Sequence, residues 1–144
     1  RDPERPAKTF VTREGKRWFI SDDRGQFSEG ILFISGRADR VIISGGVKVD
    51  LDEVEAALQE VYESLDVAVF SVVDDTWGES IAVVSTQDLE SSMLEALLVG
   101  QFGTGARLSR LELVTSLPRL TSGKPDYQEV QKLYSPPKTS TGVQ

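Results

Sequence analysis

Three short stretches of the chain carry residue types that bind anions or diols. In Trp18-Phe19-Ile20-Ser21-Asp22-Asp23-Arg24-Gly25 a carboxylate sits in a turn beside glycine. An ionised aspartate only accepts hydrogen bonds, so a carboxylate here, Asp22 or Asp23, can take two from a ribose diol; the same residues also suit an ordinary turn between strands. In Gly36-Arg37-Ala38-Asp39-Arg40 the guanidinium fork of Arg37 fits a phosphate or a ribose. Just beyond it, Ser44-Gly45-Gly46 would let backbone approach a ligand closely; the plain alternative is a surface Arg–Asp pair and a hairpin turn. In Leu117-Pro118-Arg119-Leu120-Thr121-Ser122-Gly123-Lys124-Pro125, Lys124 can set one point charge against a phosphate or carboxylate, or be a solvated loop lysine. Singly, none of the three decides anything; their order and spacing do.

Composition narrows the chemistry. The chain has 144 residues, no cysteine and no histidine. That removes disulfides, thiolate nucleophiles, Ser-His-Asp triads and imidazole metal ligands, and no metal site is expected. A formal net charge of -7 argues against nucleic acid, which wants a basic face. No apolar run approaches the ~20 residues that span a bilayer, so no membrane role is expected. The absence of cysteine points to a reducing, cytoplasmic compartment. At 39% hydrophobic residues the chain can build a core, and its length suits one small domain with an extra piece.

The elements that must hold these residues follow from pattern. Thr9–Thr12, Arg17–Ile20 and Ile31–Ile34 read as strands punctuated by glycines and could form a small meander. Val41–Ile43 and Val47–Val49 flank the Ser44-Gly45-Gly46 turn. Asp50 reads as an N-cap with Glu53 as its capping-box partner, opening a helix with Leu51, Val54, Leu58 and Val61 on one face. Leu65 to Val73 reads as a strand buried on both faces, with 80–85 as its neighbour. Asp88 reads as the cap of a second helix striped by Leu89, Met93 and Leu97 and ending near Gly100. Leu111 and Leu113 mark a half-exposed strand. Asp126 and Glu129 repeat the capping-box spacing before a short helix carrying Tyr127, Val130 and Tyr134. The tail after Ser135, with two prolines, is expected to be disordered. The expected class is α+β: a small mixed sheet flanked by helices, preceded by a β-rich segment.

In this order the motifs resemble the C-terminal end of the adenylate-forming superfamily of acyl- and aryl-CoA ligases, luciferases and peptide-synthetase adenylation domains. Members carry Gly-Trp-Phe-x-Thr-Gly-Asp-x-Gly, then Gly-Arg-x-(Asp or Lys)-Asp, Ser-Gly-Gly, Glu-Val-Glu and, near the end, Leu-Pro-x-Thr-x-x-Gly-Lys. Here these stand at Trp18 to Gly25, Gly36 to Arg40, Ser44-Gly45-Gly46, Glu53-Val54-Glu55 and Leu117 to Lys124, and Trp77-Gly78-Glu79 matches a further Trp-Gly-Glu turn. The resemblance runs from about residue 8 to 134.

The resemblance implies an enzyme that joins a carboxylic acid to ATP, with magnesium, as acyl-AMP and then passes the acyl group to CoA. It implies that Asp23 and Arg37 hold the ribose of the nucleotide. Asp39 would be a hinge, Lys124 the adenylation lysine, and Ser44, Gly45 and Gly46 the loop presented in the thioester-forming state. Residues 1–36 would then be the last β-rich part of a large N-terminal domain, 37–40 the hinge, and 41–134 a C-terminal lid that works against that domain. The glycine-rich phosphate loop and the Tyr-Gly-x-Thr-Glu motif of that domain do not occur here, so the chain reads as a lid fragment inactive alone.

Departures from the family pattern are informative. Asp22 stands where glycine is usual and Arg17 precedes Trp18 in place of glycine, while Pro125-Asp126-Tyr127 replaces a common Ile-Asp-Arg. The Asp22-Asp23 pair and the run Gly36-Arg37-Ala38-Asp39 are similar to some o-succinylbenzoate–CoA ligases of menaquinone biosynthesis, the preferred subfamily. Fatty-acid and amino-acid-activating lids are the rivals within the superfamily. A small docking module that uses neither Lys124 nor Asp23 is the rival outside it.

Overall fold

A computed structural model describes residues 10–135; the expected disordered tail lies outside the described residues. The chain divides into two compact units between Asp39 and Arg40.

The first unit holds two separate antiparallel hairpins. Strands β1 (Phe10–Arg13) and β2 (Lys16–Phe19) pair across Glu14-Gly15, and β3 (Asp23–Ser28) and β4 (Ile31–Arg37) pair across Glu29-Gly30. Both turns place two consecutive residues at positive φ, 51° and 74° in one and 51° and 81° in the other. That is the two-residue geometry whose twist matches paired strands. Each turn closes its own hairpin and nothing comparable joins β2 to β3, so the expected meander is replaced by two ribbons. No residue between 10 and 39 is buried, and Trp18, Phe27, Ile34 and their neighbours stand exposed.

The second unit is a five-stranded mixed sheet covered on both faces. Its strands are β5 (Val41–Ser44), β6 (Val47–Asp50), β7 (Val67–Asp74), β8 (Gly78–Ser85) and β9 (Leu108–Leu113). β8 pairs antiparallel with β7 along its whole length and parallel with β9 on its other edge, where β5 meets it at Gly78. The parallel pair arises because α2 (Ser91–Phe102) carries the chain from the end of β8 back to the start of β9. Alternate residues of β7 feed two cores, as the unbroken apolar run predicts. Val67 and Val69 pack with Leu51, Val54 and Leu58 of α1 (Leu51–Val61) and with Leu94 and Leu98 of α2. Ala68, Phe70 and Val72 pack with Leu117 and with Val130 of α3 (Tyr127–Tyr134).

Several helix details differ from the pattern reading. The Asp50 carboxylate caps α1 by accepting from Asp52 N–H at 2.9 Å, not from Glu53, and Val61, in the helix's last position, is exposed. α2 starts after Glu90, two residues beyond the expected Asp88 cap, and runs through Gly100 to Phe102, where Gly103 at φ 90° ends it. Its buried stripe is Leu94 and Leu98, while Met93 is exposed and Leu89 is buried ahead of the helix. Leu and Met at 93, 94, 97 and 98 offer two equivalent i, i+4 stripes, and tertiary packing chooses between them. Asp126 caps α3 as expected, accepting from Glu129 N–H at 3.1 Å.

Candidate functional site

In the first unit, strand register brings Asp23 opposite Arg37. The backbone N–H of Ala38 donates to the Asp22 carbonyl at 2.7 Å, which closes this end of the ribbon. Arg37 holds Asp39 with both prongs of its fork, Nε to Oδ1 and Nη2 to Oδ2, each at 2.8 Å. Asp22 and Asp23 each stand 3.7 Å from the same guanidinium. The hydrogen bond to Asp39, with smaller help from the charges of Asp39, Asp23 and Asp22, raises the Arg37 pKa against the opposing effect of burial. Three of the sequence-derived residues, Asp23, Arg37 and Asp39, thus form one cluster, which Asp22 joins.

In the second unit, Ser44-Gly45-Gly46 forms the β5–β6 turn, with Gly45 and Gly46 at φ 56° and 82°. Only the two glycines are exposed; Ser44 is fully buried, so its hydroxyl is not a surface group. The turn is braced from two sides. Gly45 N–H donates to the Trp77 carbonyl at 2.9 Å, and Ile43 N–H donates to the Glu79 carboxylate at 3.1 Å. The Trp77 ring fills the space that a side chain on Gly45 would need. On the other side Gly105 lies so close to the Ser44 carbonyl and the Val47 side chain that no Cβ fits. Asp74 fixes the Trp77 turn by accepting from Thr76 N–H at 2.8 Å and Trp77 N–H at 2.9 Å.

Lys124 lies in a tight exposed loop. Leu120 N–H donates to the Lys124 carbonyl and Gly123 N–H to the Leu120 carbonyl, each at 2.9 Å, with Gly123 at φ 85°. Arg119 ties the loop down by donating to the Gly123 carbonyl at 2.7 Å and pairing with Asp66. Asp66 immediately precedes β7, and Trp77 follows its end. The two loops are therefore fastened to opposite ends of an eight-residue strand, roughly 25 Å apart at ~3.3 Å per residue.

A buried ionic network that no local sequence pattern joins together centres on Arg40. Arg40, only 7% exposed, donates to Asp52 at 2.7 Å, to the Val69 carbonyl at 2.6 Å and to Glu55 at 3.2 Å. Its guanidinium lies 3.7 Å over the Tyr127 ring. Tyr127 O–H donates to the other Glu55 oxygen at 2.7 Å, and Val69 N–H donates to Glu55 at 3.1 Å. Burial pushes the Glu55 carboxyl up, opposed by these hydrogen bonds and the Arg40 charge. Burial and the Glu55 hydrogen bond push the Tyr127 phenol up as well. The one available signal was the Glu53-Val54-Glu55 motif, which places Glu55 one residue along the helix from buried Val54.

Among the described residues no cluster of three or more His, Cys, Asp or Glu is placed to hold a metal, and no helix is long and apolar enough to cross a membrane.

No protein-family model matches the chain. It is 35% identical over 134 residues to an indoleacetate–CoA ligase of Aromatoleum aromaticum, covering 88% of this chain and 26% of that protein. It is 36% identical over 137 residues to the mitochondrial malonate–CoA ligase of Bos taurus, covering 91% of this chain and 23% of that one. Among solved structures, ATP-bound MatB from Rhodopseudomonas palustris superposes with a TM-score of 0.71 at 27% identity, over 93% of this chain and 27% of MatB. The chain thus spans about a quarter of the length of the curated relatives it matches, and those relatives are CoA ligases.

Proposed function

We propose that this chain is the C-terminal lid of an AMP-forming acid–CoA ligase, with residues before about Gly36 belonging to the edge of the large domain it works against. The observation that carries the reading is the fastening of the Lys124 loop and the Gly45-Gly46 turn to opposite ends of β7. Two loops so far apart on one rigid sheet cannot serve one reaction centre at the same time. A lid that swings between two half-reactions can present each in turn.

In this reading Lys124 serves adenylation. The acid is already ionised near pH 7, so no general base is required. Its carboxylate oxygen attacks the α-phosphorus of ATP, the bond to the pyrophosphate oxygen breaks, and charge gathers on the non-bridging oxygens. One fixed ammonium there contributes roughly 3 kcal/mol, the order of a single oxyanion donor. Asp23 accepts from the ribose hydroxyls, and Arg37 adds a donor once its fork leaves Asp39. Asp39 is the hinge, which the division of the chain beside it supports. After rotation, the bare backbone of Gly45-Gly46 lines the approach of the CoA thiol. ATP with magnesium, CoA and the acid are substrates, and the N-terminal adenylation domain is the partner. The exposed apolar residues of the hairpins, Trp18 and Phe33 among them, would pack against that domain.

The acid we infer is o-succinylbenzoate, in cytoplasmic menaquinone biosynthesis, from the Asp22-Asp23 pair and the Gly36-Arg37-Ala38-Asp39 run. The relatives act on other acids by name, so the experiment offers a panel. The intact ligase containing this chain is incubated with ATP, magnesium, CoA and o-succinylbenzoate, indoleacetate, malonate, fatty or amino acids, and AMP and thioester are read by mass spectrometry. An o-succinylbenzoyl thioester is the expected product; another thioester keeps the lid and discards that acid. A Lys124→Ala ligase that adenylates at the wild-type rate would sink the lid reading and favour a docking module.

A further inference from the structure

We infer that Tyr127 is a positioning residue for Lys124: with Glu55 and Arg40 it ties the lysine's loop to the first residue beyond Asp39. The inference rests on the lid reading and deepens it. Only two residues separate Lys124 from Tyr127, and one of them, Asp126, is pinned on both sides. Its N–H donates to the Pro118 carbonyl at 2.9 Å and its carboxylate caps α3. Tyr127 then reaches across to α1 through its hydroxyl at Glu55 and offers its ring face to Arg40. Arg40 is itself held by Asp52, Glu55 and the backbone of β7. A rotation that begins at Asp39 is thereby handed to a buried cation bonded to the sheet, to α1 and to the start of α3. The lysine cannot lag behind.

Among the described residues the network makes no hydrogen bond to the Gly45-Gly46 turn, which is braced instead by Trp77, Glu79 and Gly105 at the other end of β7. Loss of the Tyr127 hydroxyl should therefore divide the two half-reactions. The experiment uses the intact ligase as Tyr127→Phe, Lys124→Ala and the double variant. Adenylation is followed by acid-dependent exchange of pyrophosphate into ATP, and the thioester step from supplied acyl-AMP and CoA.

Tyr127→Phe, which keeps the ring under Arg40, is expected to lower the adenylation kcat by about ten- to a hundredfold, the cost of a small misplacement of a catalytic group. The ATP and acid KM values and the thioester step should stay at wild-type values. The double variant should be no slower than Lys124→Ala alone, because a positioning residue has nothing left to position. Wild-type adenylation in Tyr127→Phe, equal loss in both half-reactions, or losses that multiply in the double variant would each overturn the inference. If Tyr127→Phe folds poorly, Glu55→Gln weakens the acceptor of the same hydroxyl and should give the same split; equal loss in both steps overturns it. Amide exchange in the intact Tyr127→Phe protein supplies a readout that needs no turnover. The Leu120 and Gly123 amides should exchange faster while that of Val83 does not, and unchanged exchange counts against positioning. If Lys124→Ala adenylates normally but this exchange still quickens, the lid reading fails and the tether stands.

Discussion

Gly45 and Trp77 are locked together: the glycine N–H donates to the tryptophan carbonyl at 2.9 Å, and the indole fills the volume a Gly45 side chain would take. The indole thus requires glycine at this position. Gly45→Ala must either displace the ring or leave the φ of 56° that L residues adopt at a cost. We expect it to lower stability by roughly 2–5 kcal/mol, the sum of left-handed strain and overpacking. On the lid reading, the thioester step of the intact protein should fall while adenylation persists. Urea unfolding and the two half-reaction assays check both parts, and a variant as stable as wild type would refute the packing argument.

Arg40 gives the sharpest stability prediction. It is a buried cation paired with Glu55, itself largely buried, and with the more exposed Asp52. Arg40→Met keeps much of the packing against Tyr127 but leaves Glu55, 13% exposed, without its cation. Breaking a buried pair from one side costs about 3–5 kcal/mol. Arg37→Met removes a guanidinium of similar pairing that is 47% exposed, and there we expect less than about 1 kcal/mol. Denaturant midpoints of the two variants side by side test the contrast; equal losses would contradict it.

How much of this was legible in the sequence depends on whether the signal is local. β7 and β8 were legible because an unbroken apolar run of that length has to be covered on both sides. Asp126 was legible because a cap and its partner lie three residues apart. The start of α2 was not, since the helix is apolar nearly all round and the true cap position, Glu90, makes no side-chain cap bond. A mixed sheet was legible, but that β9 supplies its parallel pair was not, because strand composition does not encode direction. Asp23 and Arg37 come together because one hairpin register pairs them, and Asp39, two residues on, joins through the Arg37 fork. The joining of Arg40, Glu55 and Tyr127 into one network was not legible, because the Glu55–Tyr127 bond spans 72 residues and no local pattern links them.

Glu55 also makes stability depend on pH. Burial raises its folded pKa above the ordinary value of 4.5. The folded chain therefore holds the Glu55 proton over a range where the unfolded chain has lost it. By linkage, the Glu55 contribution is fully present below the unfolded value and declines as pH rises through the folded one. Glu55→Gln cannot titrate. The stability of wild type minus that of Glu55→Gln should fall as pH rises from 4 and level off once the folded carboxyl has ionised. Urea midpoints of both proteins across pH 4 to 8 measure that difference. A difference that grows with pH would mean that the hydrogen bonds from Tyr127, Val69 and Arg40 outweigh burial.

Asp22 is the departure most open to a direct test. Its carboxylate stands 3.7 Å from Arg37, so the extra negative charge is directed at the cation and not left facing an anionic nucleotide. On the lid reading it would compete with the nucleotide for that cation. Asp22→Asn keeps the shape of the turn and removes the competitor. In the intact ligase we expect it to lower the KM for ATP, most clearly at low salt, where exposed charges interact over longer distances. Its effect on stability should stay within about 0.5 kcal/mol, as for most surface changes. Asp23→Asn should act in the opposite direction, because there the carboxylate is proposed to receive the ribose hydroxyls. Initial-rate measurements at two ionic strengths separate the two. If both variants raise the KM for ATP alike, Asp22 is a ligand in its own right rather than a competitor for Arg37.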